Sequence, residues 1–160
     1  MINKKTKYFL ISLISIILTA LLGSFFTSKN MVSWYDTLNL PSLVPAGFIF
    51  PIAWNILFIL MIIAFYLILL NDSRRVSVLR KKIITLFSIQ LVFNVLWVVL
   101  FFEFNWLLIS LLEIVLLEVT LIYLTLESYK LNKTVAYLLI PYVLWIAFAI
   151  ILNLSVFLIN

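Results

Sequence analysis

The chain has 160 residues, of which 66% are hydrophobic, 16% aromatic and only 11% charged, with a formal net charge of +5. A soluble domain of this size has too little interior to hide that much apolar surface, and a disordered chain would be polar, so both classes are excluded. Histidine and cysteine are absent and glycine occurs twice, which removes disulfides, thiol nucleophiles, zinc sites, His-ligated haem, Ser-His-Asp chemistry and Gly-rich phosphate loops.

Five apolar runs of 20 to 24 residues follow one another, at about 8–27, 48–70, 83–102, 106–129 and 135–158. A helix needs ~20 residues to cross ~30 Å of hydrocarbon, so each run predicts one membrane span. The expected fold is all-α, a five-transmembrane-helix bundle in which residues 1–160 form a single integral membrane domain. The loops alternate between two sides. Lys4, Lys5, Lys7, Arg74, Arg75, Arg80, Lys81, Lys82, Lys130 and Lys133 fall on one side, and Lys29 alone on the other. Short basic patches between apolar runs set orientation in a membrane and do not suit nucleic acid. They predict a cytoplasmic N-terminus, an external C-terminus and an external 28–47 loop. With no outer-membrane barrel pattern, a bacterial plasma membrane is the expected location.

The first run, preceded by its three lysines, has the outline of a signal peptide. It is longer than a typical h-region and lacks a convincing cleavage site near Gly23 and Ser24, so it reads as an uncleaved helix. The 28–47 loop mixes Trp34, Tyr35, Pro41 and Pro45 with polar residues. Its prolines prevent a long helix, and its aromatics favour the boundary between water and lipid. It reads either as an interfacial anchor or as a lid over the bundle mouth. In the second run Trp54, Phe58, Met61 and Phe65 share a helical face. In the third, Gln90, Asn94, Trp97 and Phe101 do so. Gln90 and Asn94 are poorly suited to lipid, so that face turns inward. Asn94 then serves as an interhelical hydrogen bond or as a polar handle for a ligand.

The fourth run carries Glu113 and Glu118, ~140° apart around a helix. They are expected to be protonated, paired or turned to a protein surface, because charge at the bilayer centre costs ~2.5–3.5 kcal/mol. Glu103 and Glu127 lie near run ends, within reach of headgroups. In the fifth run Trp145, Phe148, Ala149 and Leu152 share a face beside Asn153, and Pro141 is placed to kink the helix and free a carbonyl. Tryptophans presented inward by three helices predict an aromatic-lined cavity suited to a flat, apolar ligand.

Four blocks, in order, carry a family resemblance. Trp34-Tyr35, Leu38, Pro41 and Pro45 match W-Y-x-x-L-x-x-P-x-x-x-P. Phe50-Pro51 and Trp54 match F-P-x-x-W. Gln90, Asn94, Trp97 and Phe101-Phe102 form the third block. Pro141-Tyr142, Trp145, Phe148-Ala149, Leu152-Asn153 and Asn160 form the fourth. The chain resembles the TspO/MBR family of tryptophan-rich sensory proteins, whose mitochondrial members are the translocator protein or peripheral benzodiazepine receptor. That resemblance implies a homodimer in the bilayer and a site for porphyrins and for benzodiazepine- or isoquinoline-type ligands. Carried over residue by residue, the implied ligand-binding set is Trp34, Tyr35 and Pro45 from the loop, Trp54 and Phe58, Asn94 and Trp97, and Trp145, Phe148 and Ala149. Leu43 and Ala46 depart from the family loop, Phe157 and Leu158 from its tail, and Glu118 stands where an apolar residue is expected. No basic residue follows Lys133, so the mammalian cholesterol-recognition pattern is missing.

The expected function is a tetrapyrrole-binding sensor or scavenger, with no cofactor and no metal site. Two alternatives accompany it. One is light- and oxygen-dependent porphyrin breakdown in which Trp54 and Trp145 would act, without any conventional catalytic constellation. The other is transport of small apolar ligands.

Overall fold

The computed structural model describes residues 3–71 and 76–160. Arg74 and Arg75, counted above among the basic residues, lie outside them. Five long helices carry the chain: α1 (Lys4–Asn30), α2 (Ile49–Leu70), α3 (Ser77–Val98), α4 (Leu107–Leu131) and α5 (Lys133–Ile159). All five are long and apolar enough to cross a membrane. No strand occurs among the described residues. The helices outrun the apolar stretches at several ends because backbone hydrogen bonding continues through Lys4, Lys29, Lys81 and Lys133, where hydropathy has already fallen. Asn3 caps α1 through Lys5 N at 3.2 Å, and Asn132 caps α5 through Thr134 N at 2.9 Å.

Packing sets a ring in the order α1, α2, α5, α4, α3, with α4 on α5 the most extensive pair. This order places α5 directly against α2, although 62 residues lie between the end of α2 at Leu70 and the start of α5 at Lys133. The end remote from the 31–48 loop gathers the basic side chains. The Lys4 ammonium and the Arg80 guanidinium both lie over the Tyr8 ring. Arg80 also donates to the Ile68 and Leu69 carbonyls at 3.2 and 2.7 Å, satisfying the open end of α2. The buried Glu127 does not reach for headgroups: Lys82 at 3.3 Å and Lys130 at 2.7 Å pair with it.

The core of this half is solid. Phe65 and Phe87 stack with centroids 4.4 Å apart among Met61, Ala64, Ile68, Ile83 and Leu121. At the other end α3 passes into a wide π turn over Val99–Glu103. One extra residue in that turn brings Phe101 and Phe102 side by side into the interior. Asn105 (φ 60°) then takes the left-handed conformation that asparagine tolerates and opens α4. Pro141 does not end its helix: α5 continues through it from Lys133 to Ile159. Removing the stacked ring with Phe87→Ala is expected to cost about 3 kcal/mol, by the usual penalty for a vacated core aromatic. A lowered midpoint of thermal unfolding in detergent micelles checks this, and an unchanged midpoint would contradict it.

Candidate functional site

The site grows from a mismatch in helix ends. The Phe50 ring lies 6.0 Å from Trp145, so the first turn of α2 is level with the middle of α5. From Trp145 to Asn160 α5 climbs a further ~22 Å, at 1.5 Å per residue. α2 therefore starts deep in the bundle, and residues 31–48 fill the space above it. A short turn at Tyr35–Thr37 folds the loop, and Trp34 and Tyr35 pack on Phe101 and Phe102. The Glu103 carboxylate accepts from the Lys29 ammonium and from the Asn30 amide, which ties the end of α1 to the π turn. Glu103 is thus held by protein partners at this end.

Aromatic residues expected to ring one hollow divide into two groups. The first lies between α2 and α5. Trp54 stacks on Phe58 at 5.4 Å, meets Trp145 edge-on at 6.5 Å and meets Tyr142 at 6.2 Å, while Phe148 sits 5.8 Å from Trp145. The second joins α3 to the loop. Trp97 stacks on Phe101 at 5.3 Å, and Trp34 meets the same ring at 5.3 Å. Trp34, Tyr35, Pro45, Trp54, Phe58, Trp97, Trp145, Phe148 and Ala149 are all half-buried. Asn94 alone of the sequence-derived set is buried, at 4% exposure.

Two polar ties join these groups. The Asn94 amide donates to the Tyr142 hydroxyl at 2.7 Å, so its nitrogen is spent on α5. The Trp97 indole N–H donates to Asn153 Oδ1 at 3.0 Å. That oxygen also accepts from Ser110 Oγ at 3.2 Å, and the Asn153 amide donates to the Leu107 carbonyl at 3.2 Å. One asparagine therefore binds α3, α4 and α5 together. Among the described residues only the Trp97 indole N–H has an acceptor; those of Trp34, Trp54, Trp106 and Trp145 have none. Donors left open in a low-dielectric surrounding are costly until an acceptor arrives. The buried amide of Gln90 and the carboxylate of Glu113 likewise have no protein partner.

The family blocks contain Phe50, Tyr142 and Asn160, but helical spacing assigned none of them a face or a partner, and Ser110 and Asn39 went unmarked. Phe50 is one helical turn before Trp54, and Tyr142 is three residues before Trp145, so their placement on the same faces was available from the 3.6-residue period. Ser110 and the pairing of Asn39 with Asn160 depend on how distant helices dock, which no local pattern carries. A recess of about 380 Å³ lies elsewhere, lined by Asn105, Trp106, Leu107, Leu108, Ile109, Phe157 and Asn160. Trp106 belongs to that outer recess, stacked on Phe104 at 4.9 Å, and stands apart from the Trp54–Trp145 group.

The TspO/MBR family model matches residues 11–159. Curated relatives agree. A tryptophan-rich protein TspO from Archaeoglobus fulgidus is 32% identical over 93% of this chain and 94% of its own length. One of the same name from Chlorobaculum tepidum is 36% identical over 86% of each chain. Protein CrtK of Rhodobacter capsulatus is 31% identical over 80% of this chain and 79% of its own.

The loop offers a direct check on its own packing. Burial and the neighbouring Asp36 charge both raise the Tyr35 hydroxyl above the ordinary value of 10. The unfolded chain then ionises first, so the contribution of this group to stability is full below pH 10 and is lost as pH rises beyond it. Ultraviolet titration of phenolate absorbance, compared with Tyr35→Phe, is expected to place Tyr35 above 10. A Tyr35 that ionises at or below 10 would contradict the packing of the loop on Phe101 and Phe102.

Proposed function

Because the chain belongs to the TspO/MBR family, we propose that it is a membrane tetrapyrrole-binding sensor or scavenger whose ligand enters between α2 and α5 beneath the 31–48 loop. The observation that carries this reading is the pair of half-buried indoles, Trp54 and Trp145, in edge contact with both N–H groups unclaimed. A flat conjugated ring gains stacking and burial against Trp54, Phe58 and Phe148, and acceptors on its rim satisfy the two indole donors. Ala149 keeps the α5 wall low beside Trp145, and Pro45, with Trp34 and Tyr35, covers the top. Asn94 and Trp97 act one step back, holding Tyr142 and the α3 wall in place. No imidazole or thiolate exists to ligate iron, so metal-free porphyrin binds at least as well as haem.

The same reading takes the ten basic residues to mark the cytoplasmic end of a plasma-membrane protein, with the loop outside, and takes the working form to be a homodimer. It is tested by titrating protoporphyrin into the purified chain and following tryptophan fluorescence. Saturable quenching is expected, weakened at least about tenfold (about 1.4 kcal/mol) by Trp54→Phe or Trp145→Phe, since each removes a donor and stacking area. Trp106→Phe serves as the control and leaves affinity unchanged. Equal affinity in all three variants would refute the site.

Contact between two electron-rich indoles also favours a second reading, the light- and oxygen-dependent breakdown of the bound porphyrin. Illumination in air is then expected to yield a new absorbing product with the parent chain and none with Trp54→Phe or Trp145→Phe. An unchanged porphyrin spectrum assigns the protein to binding alone.

A further inference from the structure

Inside the bundle, α3 and α4 carry polar side chains that the proposed site leaves unused. Gln90 is 0% exposed and Glu113 5% exposed. Neither polar atom of the Gln90 amide and neither carboxyl oxygen of Glu113 meets a hydrogen-bond partner among the described residues. Two ties fix the register of these antiparallel helices. Asn153 accepts from both Trp97 and Ser110. Three residues inward from them on each helix come Asn94 and Glu113, which are therefore level. At the other end Lys82 pairs with Glu127. Eight residues inward from that pair, Gln90 comes level with Val119, beside Glu118. The Tyr142 hydroxyl, which accepts from Asn94 at 2.7 Å, lies within electrostatic reach of both Glu113 and Glu118. The groups around Glu113 are thus the Asn94 and Gln90 amides on α3, the Tyr142 phenol on α5 and the Glu118 carboxyl on its own helix. Among the described residues no cation stands at this level. Lys29 pairs with Glu103, and Lys82 and Lys130 pair with Glu127, 14 residues or ~21 Å further along α4.

The two sides of this group differ. Toward the end that carries the 31–48 loop, polar atoms continue through the Ser110 hydroxyl and the Asn153 amide. Ser110 stands one turn above Glu113 on the same buried face of α4. Toward the basic end the interior is closed by Phe87, Leu121 and Leu124, each 0% exposed. A bare carboxylate is costly at such depth, and a proton is the ligand that neutralises it without a further coordination shell. We propose that Glu113, with Gln90, Asn94 and Tyr142 about it, is a buried proton-binding site that exchanges with water from the loop-side end of the bundle. The step is a plain acid–base exchange. The Glu113 O–H bond breaks and water entering beside Ser110 leaves as hydronium; the reverse reaction restores the acid. The carboxylate so formed has the unclaimed Gln90 amide as its donor. Tyr142 and Ser110 hydroxyls both donate and accept, so they can pass the proton along, whereas the amides only orient it. The seam between α3, α4 and α5 then senses acidity on one face of the membrane, and it does so whether or not a tetrapyrrole binds.

The experiment is infrared spectroscopy of the full chain in lipid nanodiscs, without any added ligand. At neutral pH the parent chain is expected to show the C=O stretch of a protonated carboxylic acid. That band is lost in Glu113→Gln, kept in Glu118→Gln and displaced in Glu113→Asp, which gives a second assignment should the glutamine variant fail to fold. As pH rises the band is expected to fade while carboxylate absorbance grows. In deuterated buffer it shifts, and Ser110→Ala is expected to slow that shift about fivefold, the rate equivalent of one hydrogen bond of ordinary net strength. Absence of any acid band that tracks Glu113 would overturn the site. So would a band that neither titrates nor takes up deuterium, since a proton that never exchanges is only a structural hydrogen. Equal deuteration in the parent and in Ser110→Ala would overturn the loop-side route. None of these readings uses porphyrin, so failure of the binding site leaves them intact.

Discussion

The arrangement depends on how polar groups are satisfied inside a bundle that has almost no polar surroundings. In hydrocarbon, a donor or acceptor that does not find a protein partner carries its full cost, so a buried amide that is paired acts as a directional fastener between helices. Asn153 is the central one, accepting from Trp97 and Ser110 and donating to Leu107. Asn94 is the second, donating to Tyr142. Together they fix α3 and α4 against α5. Because α5 also packs on α2, the same fastening sets Trp145 against Trp54. Those two indoles meet edge-on at this junction.

This division of labour gives each aromatic group a different task. Trp97, Phe101, Phe102, Trp34 and Tyr35 close one end of the molecule, with Glu103 and Lys29 outside them. The π turn is what lets two consecutive phenylalanines both face inward. Trp54, Phe58, Trp145 and Phe148 remain half-buried at a seam between helices, the first three packed on the main core. The opposite half of the bundle, filled by Phe65, Phe87 and aliphatic side chains, supplies the rigid support.

Much of this was legible in the sequence. The five spans follow from apolar run length, and the α2, α3 and α5 aromatic faces follow from the 3.6-residue period. The family blocks around Trp34, Trp54, Asn94 and Trp145 fix chain order and membership. What could not be read was which groups meet. Spacing alone left Asn94 open between a helix tie and a ligand handle, and its amide goes to Tyr142. Three inward tryptophans suggested one hollow, whereas Trp97 is drawn to Asn153 and into the loop cluster. Pro141 lies inside α5, which runs on through it. Glu127 was read as reaching headgroups, and two lysines hold it instead. Asn94 on Tyr142, Trp97 on Asn153 and Lys82 on Glu127 each join residues more than 40 positions apart, which no local period encodes.

The central claim is that a planar tetrapyrrole occupies the seam between α2 and α5 under the loop. A crystal structure of the chain with bound protoporphyrin tests it most directly. Ring density within contact of Trp54 and Trp145, with an acceptor on each indole nitrogen, is the predicted result. Ordered porphyrin confined to the outer recess beside Trp106, with those two indoles still edge to edge, would contradict it.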